Sequence, residues 1–217
     1  VGKVSVGVIP TFSFSLLPDV LGQLRKKEDN THTIVYIHNT PAIVDAVRLQ
    51  QFDIGIVSRS PPYSGVHSLY QTEGNYVALV PENHPLGSSQ DKLDLREVAG
   101  IEEFITFGNV YPLEMQGMEE DLAMQFQSKA RYSVANVLAA TALVRAVGVP
   151  ALVDPFSARM SAGAGGMVIR PVQQKLTYHI GIITRGIEVM TRETRLLADA
   201  LISKFEADPL IIAAGQS

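Results

Sequence analysis

The sequence predicts an α/β protein of two βαβ-type subdomains, each a set of βα units around a mostly parallel sheet. Two observations carry that reading. Short apolar runs of strand type alternate with segments whose apolar residues recur at helical spacing, the pattern of strands joined by crossover helices. The alternation also falls into two similar series, each running strand, helix, strand, helix, strand. The polar stretch Gln71-Thr72-Glu73-Gly74-Asn75 separates them. Two such subdomains are expected to leave an interdomain cleft between their strand ends, a favoured ligand position.

The elements justify themselves in order. Val4–Ile9 is an apolar opening strand, and Val20, Leu21 and Leu24 put Phe14–Glu28 on a helix with one buried face. Strands Thr33–His38 and Ile54–Val57 flank a helix over Pro41–Gln51. The second series begins with strand Tyr76–Val80 and continues with strand Phe104–Phe107 and a helix over Pro112–Gln127. Strand Arg131–Ala135, helix Asn136–Val147 and strand Ala151–Val153 follow, and then a short helix from Asp154. Gly163-Ala164-Gly165-Gly166 is a flexible turn before strand Met167–Pro171. A long strand, Thr177–Thr184, leads to the amphipathic helix Arg192–Ala207, where Leu196, Leu197, Leu201 and Phe205 share a face. The tail LIIAAGQS carries no functional reading.

Composition narrows the function classes. The chain has 217 residues, 46% of them hydrophobic and 18% charged, enough to bury a real core. A net charge of −4 is not the footprint of a nucleic-acid surface, which clusters Lys and Arg. Without cysteine there is no disulfide, zinc–thiolate or thiol-nucleophile chemistry. No apolar run reaches membrane-span length, and VGKVSVGVIP reads as a strand rather than a signal peptide. The chain lacks a starting Met, so an excised fragment of a cytoplasmic protein is the expectation.

Catalytic signatures are missing as well. There is no GxSxG elbow, Walker loop or HExxH helix. The histidines at 32, 38, 67, 84 and 179 lack metal-ligand spacing, and His84 before Pro85 reads as structural. Glu119-Glu120-Asp121 reads as a solvated helix face. The glycine-rich turn is not followed by a helix, which argues against a phosphate cradle. No catalytic residue, metal or cofactor is expected.

The strand-to-helix junctions are more informative. Thr11, Phe12 and Ser13 follow the first strand, Asn39 and Thr40 the second, Ser58 and Arg59 the third. In the second series Thr106 and Asn109 end one strand, Ser133 and Asn136 border the next, and Asp154 and Phe156 follow the last. Any one Ser, Thr or Asn there can be a helix cap and nothing more. Collectively they place hydroxyls and free N–H groups where an anionic group binds well. Asp154 stands before Pro155, so it opens a helix as its N-cap, and it also sits where α/β folds put ligand contacts. It would supply those donors with an acceptor for a cation.

These residues reach a family. The ordered segments IPTFSFSLLPDVLGQLRK, DAVRLQQFDIGIV, NYVALVPENHPLG, LVRAVGVPALVDP and MVIRPV resemble the effector-binding domain of LysR-type transcriptional regulators over nearly the whole chain. The most specific piece is PxxHPL, Pro81 to Leu86 after an apolar strand, supported by Leu16-Leu17-Pro18. Two departures stand out: Gln50 occupies a turn position where the family usually has Gly, and Val147-Gly148-Val149 replaces a G-x-G.

The resemblance implies a type-II periplasmic-binding-protein-like architecture, with subdomain I at 1–73 plus 180–217 and subdomain II at 74–179, joined by two crossing strands. It implies a small effector in the interdomain cleft and an N-terminal winged helix-turn-helix DNA-binding domain that this chain does not contain. A homodimer, tetrameric in the full-length protein, is expected, with no membrane association. The Val-Asp-Pro ending is similar to the branch that senses basic amino acids and opines, while many members sense organic acids. A solute-binding protein of a transporter is the alternative on the same architecture.

Overall fold

In the computed structural model the described residues are 2–27, 30–58, 62–107 and 117–214. In chain order the strands are β1 (Lys3–Val8), β2 (His32–Ile37), β3 (Ile54–Val57), β4 (His67–Asn75), β5 (Val77–Pro81), β6 (Ala151–Val153), β7 (Met167–Pro171) and β8 (Thr177–Thr184). The helices are α1 (Pro10–Ser13), α2 (Leu16–Lys26), α3 (Thr40–Arg48), α4 (Leu95–Val98), α5 (Glu120–Lys129), α6 (Val137–Val147), α7 (Pro155–Gly163), α8 (Arg192–Glu206) and α9 (Pro209–Ala214). They form two compact units, Val1–Gly74 with His179–Ser217, and Asn75–Tyr178.

The first unit is built on a five-stranded sheet in the order β2-β1-β3-β8-β4. β1 runs parallel to both β2 and β3, while β8 is antiparallel to β3. Its core is apolar and closed: Val4, Val6, Val8, Leu17, Ile43, Ile54, Ile56, Ile182, Leu201 and Phe205 are all buried. Gly7 is required by packing, because a Cβ there would lie 2.5 Å from the Phe52 ring.

In the second unit the sheet β6-β5-β7 is antiparallel, because β5 runs against both neighbours. This corrects the expectation of a mostly parallel sheet. Parallel pairing survives as the isolated bridges Ile105–Ala151 and Thr106–Ser133. The expected strands Phe104–Phe107 and Arg131–Ala135 are thus reduced to single bridges. Main-chain bonds there join Ile105 to Pro150 and Thr106 to Tyr132 and Val134, and a side-chain pair adds to them, Arg131 binding Glu103 at 2.8 Å. The bridges still continue the sheet beyond β6, so its order repeats that of β2-β1-β3-β8-β4 with bridges in place of two strands.

The polar stretch read as an interruption is the end of β4, a nine-residue edge strand. Its exposed, polar residues suit an edge, which must not invite further pairing, and they hid it from apolar pattern reading. The expected helix over Pro112–Gln127 begins outside the described residues, and α5 starts only at Glu120 with Glu119 as its N-cap. Glu119, Glu120 and Asp121 are exposed, as a solvated face requires, and Glu119 pairs at the surface with Arg96. The tail is partly ordered, as α9.

Three family-linked features acquire physical reasons. His84 N-caps the 3-10 turn Pro85–Ser88, its Nδ1 accepting the Leu86 N–H at 3.2 Å. The buried Arg170 guanidinium, from MVIRPV, then donates to the Leu86 and Asp91 carbonyls and fixes that loop against β7. Gln50 closes α3 at φ 59°. The Gln50 N–H reaches the Val47 carbonyl and the Gln51 N–H reaches that of Ala46, a Schellman closure with Gln in the left-handed position. Gly148 ends α6 at φ 72°, where glycine carries no strain.

Candidate functional site

The first unit gathers its polar candidates where β1, β2 and β3 end. In the segment after β1 the hydroxyls turn back on the main chain. Ser13 Oγ donates to the Pro10 carbonyl and Ser15 Oγ to the Thr11 carbonyl, each at 2.7 Å. Thr11 is buried. Phe12 is buried too, packed edge-on against Phe205 at 5.1 Å between centroids, so it anchors this segment in the core and offers no ring to solvent.

After β2, exposed Asn39 caps α3 by accepting the Ala42 N–H at 3.1 Å, and Pro41 suits the helix start. Thr40, only 1% exposed, lies against Ser58 at the end of β3. Their hydroxyls are 3.2 Å apart, and the Ser58 N–H donates to Thr40 Oγ1 at 3.1 Å. Arg59 lies outside the described residues.

The second unit repeats the device. Thr106, fully buried, shares a 2.8 Å hydrogen bond with the hydroxyl of exposed Ser133. Exposed Asn136 caps α6 by accepting the Ala139 N–H at 2.9 Å. Asn109 lies outside the described residues. Each unit therefore sets a Thr–Ser hydroxyl pair and an Asn-capped helix at the strand ends. The hydroxyls are preorganised, and each pair can turn a donor or a lone pair toward a ligand group.

Asp154 is half-buried and caps α7 with both oxygens. Oδ1 accepts the Ser157 N–H at 2.9 Å and Oδ2 the Ser157 hydroxyl at 2.8 Å. The charge therefore sits on an ordered carboxylate at a helix start, where the dipole favours it. Ser157 was not among the sequence candidates, although a polar residue three positions after an Asp N-cap is the capping-box spacing that could have found it. Phe156 is buried against Tyr178, 6.0 Å between centroids, with Arg159 lying 5.5 Å over its ring. Like Phe12, it is a core anchor.

Beside Thr106 and Ser133, the Arg131 guanidinium hydrogen-bonds Glu103 and holds its carboxyl below the usual range. Asp94 is lowered in the same way, chiefly by the Gln174 side-chain amide. Among the described residues no group of three or more His, Cys, Asp or Glu is placed to hold a metal ion. No described helix is long and apolar enough to cross a membrane.

Comparison with known proteins adds to this geometry. The model of the family described as LysR substrate binding domain matches residues 1–206. A curated relative, the uncharacterised HTH-type transcriptional regulator YybE of Bacillus subtilis (strain 168), is 25% identical over 114 residues, which are 52% of this chain and 38% of that protein. The chain thus matches well under two thirds of that relative's length. Among solved structures, the effector binding domain of QuiR in complex with shikimate aligns with a TM-score of 0.68 at 17% identity, covering 99% of this chain and 98% of that one. The BenM effector binding domain with its effector benzoate gives 0.68 at 17% identity, covering 94% of this chain and 92% of that one. At these identities the likeness is one of fold, the type-II periplasmic-binding-protein fold.

Proposed function

The chain belongs to the LysR substrate-binding domain family, and we propose that it senses a small carboxylate-bearing metabolite for a transcription regulator whose DNA-binding part lies elsewhere in the full protein. The observation that carries this reading is the Thr–Ser hydroxyl pair at the strand ends of each unit, beside an Asn-capped helix start. Hydroxyls and helix N–H groups suit a carboxylate. Shikimate and benzoate, bound by QuiR and BenM, are both carboxylates, which supports the same class here.

In this reading Thr11, Ser13, Asn39, Thr40 and Ser58 of the first unit hold the acid end, and Thr106, Ser133 and Asn136 of the second unit supply further polar contacts. Asp154 takes an amine where the effector carries one, as an amino acid or opine does. Binding favours one of two arrangements of the protein and so changes how the DNA-binding part engages its operator, a population shift. The comparisons are with transcription regulators, which favours this reading over a transporter's solute-binding protein and over an enzyme. The protein works as a homodimer in the cytoplasm, where its operator is.

The test is a calorimetric and thermal-shift screen of amino acids, opines, benzoate, shikimate and other organic acids, followed by operator binding of the full-length product. Saturable one-site binding of an acid that changes operator affinity is the expected result. Binding by uncharged sugars alone would overturn it.

A further inference from the structure

The chain passes between its two units at only two places, after Gly74 and after Tyr178. Both lie on strands that are neighbours in one sheet, β4 and β8. Just inside the second unit these passages are tied together: the Tyr76 N–H donates to the Leu176 carbonyl at 2.8 Å, and the Tyr76 ring meets Tyr178 edge-on at 6.0 Å and 90°. Tyr178 in turn meets Phe156 edge-on at 6.0 Å and 80°. Phe156 is the second residue of α7, two positions after Asp154, and both it and Tyr178 are buried.

We propose that the ring series Phe156–Tyr178–Tyr76 couples the Asp154 end of α7 to both connecting strands, making Tyr178 a positioning residue for the passage between the units. The physical reason is close packing. Phe156 and Tyr178 are buried and Tyr76 half-buried, and rings packed edge-on in a dense interior cannot absorb a helix displacement by sliding or tilting. A group engaging Asp154 competes with Ser157 for the carboxylate and perturbs the first turn of α7, which carries Phe156. Tyr178 is the last residue before one passage and Tyr76 follows the other by two, so the same displacement reaches both. The arrangement gives Phe156 a role that its burial denies it as a ligand contact.

The regulatory meaning rests on the reading that Asp154 lies at a ligand site, but the coupling can be measured without ligand. Amide hydrogen exchange is followed in the wild type, in Ser157→Ala, which removes one of the two cap bonds, and in Asp154→Ala. Each is repeated in a Phe156→Leu background and in the milder Tyr76→Leu background, where the side chain removed is only half-buried. Both cap variants are expected to raise exchange at the Tyr76 amide by about tenfold, the scale of a local opening. The His32 amide, bonded to the Gly2 carbonyl in the first unit, keeps its rate. In either background the cap variants no longer change the Tyr76 amide. Exchange that rises only within α7, that rises equally at Tyr76 and His32, or that survives both backgrounds would overturn the coupling. A screen that finds no ligand would overturn the ligand reading and leave this result standing.

Discussion

Thr40 and Ser58 are joined twice, by a hydroxyl–hydroxyl contact of 3.2 Å and by the Ser58 N–H donating to Thr40 Oγ1 at 3.1 Å. The threonine that starts α3 thus also holds the end of β3. Thr40→Val keeps the shape and removes the acceptor, leaving the Ser58 N–H unsatisfied at a part-buried site. Such a loss costs about 1–3 kcal/mol. Urea denaturation should show the midpoint fall with an unchanged slope, in addition to any weakening of carboxylate binding. An unchanged midpoint would mean that water replaces the hydroxyl without loss.

Asp154 separates capping from ligand recognition. Asn keeps the oxygen that accepts the Ser157 N–H, and its amide can donate to the Ser157 hydroxyl, so Asp154→Asn should melt within a few tenths of a kcal/mol of wild type. Affinity for an amine-bearing acid should fall by about 30-fold to several thousand-fold, the consequence of removing one partner of a desolvated charge pair. Full affinity with an unchanged melt would reduce Asp154 to a cap.

Gln50→Gly should stabilise the protein. An L-residue in the left-handed region costs about 1–2 kcal/mol, and glycine returns part of that through a more flexible unfolded chain. The net expectation is a gain of roughly 0.5–1 kcal/mol by chemical denaturation, with no change in ligand affinity. A loss of stability would mean that the Gln50 side chain makes contacts that outweigh its backbone strain.

Glu103 should give a pH signature. Its carboxyl is held below the ordinary range by hydrogen bonds from Arg131, so its contribution is complete above that range and is lost as pH falls through the lowered value. Glu103→Gln should therefore be less stable than wild type at neutral pH, with the gap closing on acidification. The contribution is small, because Arg131 is largely exposed. A gap that stays constant with pH would remove the charge from the explanation.

The proposed dimer predicts twice the 23.5 kDa chain mass by light scattering at about tens of micromolar, because mass action favours association as concentration rises. A monomer mass would overturn it for this chain.

Sequence by itself determined the α/β class, the order of most elements and the family. Apolar periodicity, capping residues and PxxHPL are local signals, and local signals need no knowledge of what lies across the sheet. Gln50 stood out only against the family, which usually has Gly there, and the structure supplied the reason, a helix closure with Gln50 in the left-handed region. The tertiary structure alone decided strand direction and the partners of the polar side chains. The antiparallel placement of β5 against β6 and β7 follows from where the chain returns, which no local pattern encodes. Phe12 and Phe156 sit among polar junction residues, yet they are buried by Phe205 and Tyr178, far away or separated in sequence by whole elements. Thr40 and Ser58 are 18 residues apart, and Thr106 and Ser133 are 27 apart. Only folding shows that such hydroxyls satisfy one another, because a buried polar group must be paired and its partner is chosen by the packing of the sheet rather than by position in the chain.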